Sequence, residues 1–227
     1  MEKENDLKEN LKENKKLIFL IRHGNTEFNK KNIFRGHFDI PLDNFGIEQA
    51  EKTGIFLKDI DFDIIYSSPL SRAYKTAEII KNHQKNNVEI IKEEGFKDLN
   101  FGEWEGKGYD EVQKLYSEIY MKWLREPFNA FIPEGENLRD AQNRSWEALK
   151  KIISDNKNFI IAIVTHRIIT KLLILKMLDI NDSGIWKINQ DPCCINIFEY
   201  KYQTFFMSKL NYNFHIVDLK NSFFSID

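Results

Sequence analysis

The chain has 227 residues, a formal net charge of -2 at pH 7 and a hydrophobic fraction of 42%. This length suits one well-filled domain, and so small a net charge gives no bulk attraction to nucleic acid or to an anionic membrane. Because the sequence lacks an apolar run of about 18 residues and an apolar signal-peptide core, we expect a soluble cytoplasmic protein.

The N-terminal 16 residues differ in composition from the rest of the chain. They are mostly charged or polar and contain L-K-E-N twice, which leaves too little apolar surface to pack alone. We therefore predict a charged extension over residues 1–16 and a single domain over residues 17–227. A helical, lid-like insertion is expected around residues 107–140.

The first predicted strand ends at two basic side chains. Residues 18–21 are apolar, as is typical of a buried strand. Arg22 and His23 follow them, and Gly24 lets the backbone come close to a ligand. Because open α/β sheets bind ligands at the carboxyl ends of their strands, this segment indicates an anion site.

Helical and strand-like segments alternate along the rest of the chain. The predicted helices cover residues 45–60, 70–82, 109–124, 138–153 and 167–178. The predicted strands after the first cover residues 62–66, 88–91, 159–164, a segment that starts at Cys193, and 204–209. Pro69 is expected in the first turn of the helix over residues 70–82, behind a serine cap.

This alternation implies a largely parallel sheet covered by helices on both faces, with an antiparallel arrangement open to the last strands. Cys193 and Cys194 are adjacent and lie in an apolar run, where a bridge between them would be strained. We interpret them as packed thiols in a reducing compartment.

Three predicted strand ends carry polar side chains that can act on one anion. Arg22 and His23 follow the first strand, residues 68–72 follow the second, and Thr165 and His166 follow the strand over residues 159–164. In a parallel sheet these ends lie at one edge, so two imidazoles and two guanidiniums are expected to surround a small volume. Such a set suits phosphoryl transfer, in which charge spreads over three oxygens.

Four segments together resemble the histidine phosphatase superfamily, the phosphoglycerate mutase-like group. The signature R-H-G-x-T-x-x-N is matched by Arg22, His23, Gly24, Thr26 and Asn29. G-x-x-D-x-P-L is matched over residues 36–42, S-S-P-L-x-R-A over residues 67–73, and I-V-T-H ends at His166. The resemblance covers most of residues 17–210. It implies a three-layer α/β/α sandwich with a mostly parallel sheet.

The resemblance also implies roles for individual residues. His23 is expected to be the nucleophile that accepts the phosphoryl group. Arg22, Arg72 and His166 would form the other walls of the pocket, with Asn29 and Arg35 as further donors from the loop. The histidines that match no motif are interpreted as structural, namely His37, His83 and His215.

The proton donor is expected in the loop K-D-L-N-F-G-E-W-E-G. Members of the family usually place a glutamate four residues before the loop glycine, and here that position is Asp98. The leaving alkoxide needs a carboxylic acid within reach, and the same group must then activate water. Aspartate is one methylene shorter than glutamate, so Glu94 is kept as the alternative donor.

Two further positions near the expected site differ from the family or match it loosely. Arg167 follows His166 where glycine is common. A side chain here either crowds the pocket, adds another anion contact or points outward at the start of the helix, and we expect the last of these. The segment around Glu136 resembles the P-x-G-E-S region of the family, which makes Glu136 a candidate at the pocket edge. The aromatic residues between Trp104 and Phe131 either line a lid or pack on the core.

The resemblance favours a phosphatase that hydrolyses small-molecule phosphate esters without a metal or another cofactor. The donor loop differs from the N-E-R-H-Y-G-x-L-Q-G pattern of true phosphoglycerate mutases, and their proline-rich insertion is missing, so a mutase is the alternative. A catalytically silent binding protein is a third possibility, disfavoured by the presence of His23 and Arg72. We expect a monomer or homodimer that binds neither nucleic acid nor membrane.

Overall fold

The computed structural model describes residues 15–154 and 159–216, and its central feature is a six-stranded sheet. The strands are β1 (Lys16–Arg22), β2 (Ile64–Ser67), β3 (Glu89–Lys92), β4 (Ile160–Thr165), β5 (Ile195–Lys201) and β6 (Thr204–Tyr212). Their spatial order is β3-β2-β4-β1-β5-β6, with β1 to β4 mutually parallel and β5 and β6 antiparallel to their neighbours. The predicted mostly parallel sheet is confirmed.

Helices cover the sheet. They are α1 (Glu27–Lys30), α2 (Asn44–Leu57), α3 (Ser71–Asn82), α4 (Tyr109–Leu115), α5 (Ser117–Arg125), α6 (Leu138–Ser154) and α7 (Arg167–Met177). In the described part of the chain, none of them combines the length and the apolar character that a membrane crossing requires.

Alternate residues of the central strand serve two separate cores. Ile18 and Leu20 of β1 pack in one cluster, with apolar residues of α6 and α7. Phe19 and Ile21 belong to the other cluster, with residues of α2 and α3. Because successive strand side chains point to opposite faces, a continuous apolar run places one core on each side of the sheet. The result is the expected three-layer α/β/α arrangement.

Two predicted helix boundaries are wrong. The segment expected as one helix over residues 109–124 breaks at Tyr116, whose φ and ψ of −130° and 40° are not helical. The helix expected from residue 70 begins at Ser71, so Pro69 lies before it and not in its first turn. Asp39 Oδ1 accepts the Ser71 N–H at 2.7 Å. This N–H group at the start of α3 is thus hydrogen-bonded by a distant loop rather than by a local serine cap.

Gly24 and Gly46 allow the chain after His23 to touch the start of α2. A Cβ at Gly46 would lie 2.1 Å from the Asn25 carbonyl oxygen, and one at Gly24 would lie 2.5 Å from the Gly46 carbonyl oxygen. Asp43 joins the same contact, because Oδ1 accepts the Gly46 N–H at 2.7 Å and Oδ2 accepts from Asn25 Nδ2 at 2.8 Å. Helix α2 therefore holds the loop that follows His23.

The predicted N-terminal extension falls almost entirely outside the described residues, since only Lys15 and Lys16 of it are described and Lys16 begins β1. The two cysteines, Cys193 and Cys194, are unbridged and fully buried. Burial raises the pKa of each thiol to about 12. They are packed thiols, as expected.

Candidate active site

Sheet register brings the three predicted strand ends level with one another. Arg22 pairs with Thr165, and Ser67 pairs with Val164. His23 N–H donates to the Thr165 carbonyl at 2.9 Å, which extends the β1–β4 ladder by one residue. His23 and His166 therefore leave adjacent strands at the same edge, and their ring centroids lie 5.1 Å apart.

His23 is held as a neutral imidazole with one nitrogen available. Its Nδ1–H donates to the Gly24 carbonyl at 2.6 Å, so the lone pair is on Nε2. Burial, and after it the charges of Arg72 and Arg35, lowers the pKa of His23 well below 6.5. A neutral ring with an unpartnered lone pair is the nucleophilic form of histidine.

His166 is fixed by Ser68. Its Nε2 lies 2.7 Å from Ser68 Oγ, and that oxygen already accepts the Leu70 N–H at 3.3 Å. We assign the proton of the neutral ring to Nδ1, because Nδ1 lies 3.6 Å from Asp98 Oδ2, so Nε2 accepts the Ser68 hydroxyl proton. Burial, followed by the charge of Arg72, lowers the pKa of His166 well below 6.5.

Several buried polar atoms around His23 have no hydrogen-bond partner among the described residues. They are Arg22 Nε, Arg35 Nε, Arg72 Nε, His166 Nδ1 and His23 Nε2. The first four carry N–H donors, and the fifth carries the lone pair of the candidate nucleophile. Buried donors without partners are costly, and this set suits the oxygens of a phosphoryl group in contact with His23 Nε2.

The guanidiniums are strongly desolvated. Burial, followed by the charge of Arg167, lowers the pKa of Arg22 to about 10. Burial, followed by the charge of Arg22, lowers the pKa of Arg35 to about 9, and burial also lowers the pKa of Arg72. These side chains therefore gain from the arrival of an anion, which offsets their mutual repulsion.

Asp98 lies beside these groups, and Glu94 does not. Asp98 is 4% exposed, and its Oδ2 lies 3.1 Å from Arg72 Nη2 and 3.6 Å from His166 Nδ1. Its Oδ1 accepts the Leu99 N–H at 3.0 Å. Glu94 is exposed and lines a separate, open cavity of ≈ 440 Å³. Of the two candidate donors, the structure brings only Asp98 to the histidines.

The backbone around Asp98 is fixed by residues whose role the sequence did not reveal. Arg144 of α6 donates to the carbonyl oxygens of Gly95 at 2.9 Å, Lys97 at 2.8 Å and Asp98 at 2.9 Å. His37 Nε2–H donates to the Asp98 carbonyl as well, at 2.9 Å. The available signal for His37 was its place in the R-G-H-F-D loop, next to Arg35.

Glu136 and Asn29, both predicted to bind substrate, make structural contacts. Glu136 accepts from Arg144 Nε at 2.6 Å and Nη2 at 2.8 Å, so its carboxylate is committed to the residue that holds the donor loop. Asn29 Oδ1 accepts from Thr26 N at 3.1 Å and from Thr26 Oγ1 at 2.9 Å, which closes the turn after His23.

The expectation that Arg167 points outward is wrong. Its side chain lines a cavity of ≈ 20 Å³ together with Arg35, Asp98 and Tyr109, a space that holds about one water molecule. Only His166 separates Arg167 from β4, so its position on the first turn of α7 turns it toward the strand ends. Of the aromatic residues considered for a lid, Tyr109 lines this cavity, whereas Trp104 and Trp123 pack in the core.

The side chains of His83 and His215 contact residues outside the group that surrounds His23. His83 Nε2 lies 2.6 Å from Glu51 Oε2, and His215 Nε2 lies 2.9 Å from Thr53 Oγ1. Burial lowers the pKa of His215 to about 4. Within residues 15–154 and 159–216, no group of three or more His, Cys, Asp or Glu side chains is placed to hold a metal ion.

Comparison with known proteins assigns the sequence to one family. The sequence model of the histidine phosphatase superfamily (branch 1) matches residues 18–213. Phosphoserine phosphatase 1 of Hydrogenobacter thermophilus is 28% identical over 199 residues, which cover 88% of this chain and 93% of that protein. A 2,3-bisphosphoglycerate-dependent phosphoglycerate mutase of Bartonella tribocorum is 38% identical over 132 residues, 57% of this chain and 64% of that one.

A solved structure supports the same grouping. The alpha-ribazole phosphatase from Shigella flexneri superposes with a TM-score of 0.80 at 25% identity. The superposition covers 87% of this chain and 96% of that chain. The similarity therefore spans the sheet, its helical layers and the strand ends that carry the site.

Proposed function

Because the chain belongs to the histidine phosphatase superfamily, we propose that it hydrolyses small-molecule phosphate monoesters through a phosphohistidine on His23. One observation carries the proposal. The buried N–H groups of Arg22, Arg35, Arg72 and His166 without partners, together with the His23 Nε2 lone pair, form a site for a tetrahedral oxyanion next to a nucleophile.

In the first step, His23 Nε2 attacks phosphorus and the bond from phosphorus to the ester oxygen breaks. Charge that develops on the equatorial oxygens is stabilised by the guanidiniums and by His166 Nδ1–H. Asp98 gives its proton to the leaving alkoxide. This step uses the carboxylic acid form of Asp98, whose Oδ2 lies 3.1 Å from Arg72 Nη2.

In the second step, water attacks the phosphohistidine and the bond from phosphorus to Nε2 breaks. Asp98, now ionised, accepts a proton from that water, and His23 returns to its neutral form. The cavity beside Asp98 has room for about one water molecule. The same carboxyl group thus serves as acid and then as base.

The finer features of the activity also belong to the proposal. We propose that the reaction needs no metal ion, since three guanidiniums supply the positive charge that a Lewis acid otherwise brings to a phosphoryl group. The substrates are small phosphate esters, and a cytoplasmic monomer or homodimer with no nucleic-acid or membrane partner remains the prediction. The similarity to phosphoserine and alpha-ribazole phosphatases supports ester hydrolysis without selecting one ester.

A phosphoglycerate mutase is the second candidate, and the similarity to the Bartonella protein favours it. A mutase returns the phosphoryl group to a second hydroxyl rather than to water. The loop K-D-L-N-F-G-E-W-E-G, which carries Asp98, differs from the mutase pattern and supports the phosphatase. Incubation with 3-phosphoglycerate separates the two, because a phosphatase releases inorganic phosphate and a mutase forms 2-phosphoglycerate.

The central test is turnover of p-nitrophenyl phosphate by the full chain. We expect activity that survives EDTA and that falls at least about a thousandfold in His23→Ala, since the nucleophile is lost. His83→Ala is the matched control and keeps full activity, because His83 lies away from the site. Loss of activity with EDTA, or its retention in His23→Ala, would contradict the mechanism.

A further inference from the structure

Arg167 presents a guanidinium that the proposed phosphoryl transfer does not use. Its side chain is half-buried and lines the small cavity beside Asp98. Its Nη2–H donates to Tyr109 Oη at 3.4 Å, a length at which a hydrogen bond is weak. Among the residues that the structure describes, no carboxylate forms an ion pair with Arg167.

Lys171 adds a second positive charge one turn further along α7. It is 6% exposed, and its Nζ lies 5.1 Å from the centroid of the Trp186 ring. Burial, and after it the charges of Arg167 and Arg22, lowers the pKa of Lys171 to about 7. Like charges four residues apart repel on a helix, and an anion beside Arg167 would ease that repulsion.

One guanidinium beside the cavity has no anionic partner when phosphate alone binds. Asp98 lies 3.1 Å from Arg72, and the charge of Asp191 acts on Arg22, whereas no carboxylate of the described residues forms an ion pair with Arg167. A phosphate dianion held by Arg22, Arg35 and Arg72 leaves Arg167 unpaired. The charge that remains is on Arg167, because the other three guanidiniums surround His23 and provide the unpartnered Nε–H groups.

We propose that Arg167 and Tyr109 form a subsite for a second anionic group of the substrate, either a carboxylate or another phosphate. The planar guanidinium offers paired donors to either group. The anion replaces the weak contact with Tyr109 at Arg167, and the Tyr109 hydroxyl becomes a second donor. This inference rests on the proposed phosphatase function and narrows its substrates to doubly anionic phosphate esters.

Two matched substrate pairs test the subsite with the full chain. 3-Phosphoglycerate differs from glycerol 3-phosphate by a carboxylate in place of a hydroxymethyl group. Glucose 1,6-bisphosphate differs from glucose 6-phosphate by a second phosphate. We expect kcat/KM to be at least about tenfold higher for the doubly anionic member of one pair, from the usual strength of a charged hydrogen bond. The pair that shows the preference identifies the second anion.

Variants assign that preference to Arg167. Arg167→Gln is expected to lower kcat/KM for the preferred substrate about tenfold more than for its singly anionic partner and for p-nitrophenyl phosphate. Arg167→Lys restores part of the preference, because it keeps the charge and loses the fork. Arg125 is an exposed arginine of α5, so Arg125→Gln is the matched control and changes kcat/KM for neither substrate.

The outcomes separate this inference from the proposed function. If the protein hydrolyses p-nitrophenyl phosphate but shows no preference in either pair, the subsite is wrong and the phosphatase stands. If Arg167→Gln lowers turnover of every ester equally, Arg167 acts on the transferred phosphoryl group and the subsite is again wrong. If no ester is hydrolysed, the phosphatase proposal fails and the subsite with it.

Discussion

Arg144 Nη2 lies 2.9 Å from the carbonyl oxygen of Asp98, although the two residues are 46 positions apart in sequence. The same guanidinium binds the carbonyl oxygens of Gly95 and Lys97 and the carboxylate of Glu136. One arginine of α6 thus fixes the backbone on which the candidate proton donor lies. Its effect on catalysis is expected to pass through Asp98.

Arg144→Gln should therefore behave as a positioning variant. We expect kcat to fall about tenfold, because a small displacement of a catalytic group costs about this much or more. The loss should be larger for alkyl phosphates than for p-nitrophenyl phosphate, as a fault in leaving-group protonation requires. Arg139→Gln, on the same helix and paired with Asp182, is the control. An equal loss for both ester types would indicate general loosening of the fold.

Replacement of Asp98, the candidate proton donor, should make the rate depend more strongly on the leaving group. Asp98→Asn cannot protonate an alkoxide, so we expect a loss of about a hundredfold or more for alkyl phosphates and a much smaller loss for p-nitrophenyl phosphate. Steady-state rates for a series of esters give the slope of the logarithm of the rate against the pKa of the leaving group. Glu94 lines the separate, open cavity, so Glu94→Gln should leave the slope unchanged. A steep slope in Glu94→Gln would instead make Glu94 the acid.

Ser68→Ala tests how the orientation of His166 contributes. Without the hydroxyl at 2.7 Å from Nε2, the ring loses the partner that assigns its proton to Nδ1. We expect kcat with p-nitrophenyl phosphate to fall about tenfold, as for a weakened donor to the developing charge. Ser68→Thr retains a hydroxyl and should recover part of the rate. Full activity in Ser68→Ala would show that the tautomer is set elsewhere.

Stability should fall as the pH drops below about 6.5. The pKa values of His23 and His166 lie well below 6.5 in the folded protein, and that of His215 lies at about 4. Below pH 6.5 the unfolded chain therefore binds protons that the folded chain does not bind. The contribution of these histidines to the free energy of unfolding is consequently complete above pH 6.5 and declines toward pH 4.

Thermal unfolding between pH 7.5 and pH 5 measures this decline. His215→Gln removes one of the three groups and should flatten the pH dependence of Tm while leaving activity intact, because the His215 ring packs against Phe56 and Tyr212 and is not among the groups around His23 Nε2. A Tm that stays constant over this range would contradict the assignment of buried neutral histidines.

The sequence was sufficient to predict the sheet and the position of the three strand ends at one edge. Apolar runs such as residues 18–21 and 159–164 define buried strands, and parallel pairing then places His23 and His166 at one edge. The break at Tyr116 was not predictable from periodicity, because the apolar pattern continues across it. Tertiary packing sets such boundaries more than local propensity does.

The parts of the site that escaped the sequence depend on distant contacts. Arg144 and His37 act on the backbone of the Asp98 loop, and contacts to carbonyl groups leave no residue pattern at the loop itself. Arg167 was expected to point away because the position was judged from the usual glycine. Its orientation follows from the turn between β4 and α7, which depends on the tertiary packing of both elements.

The contact between Gly24 and Gly46 links activity to the local stability of one helix. Since no side chain separates the two backbones, the segment that follows His23 and the first turn of α2 are in direct contact. Fraying of α2 would loosen the Gly24 carbonyl that orients the His23 imidazole, while the sheet stays intact. Heat should consequently abolish turnover before it unfolds the protein, and amide exchange at these two glycines should rise together.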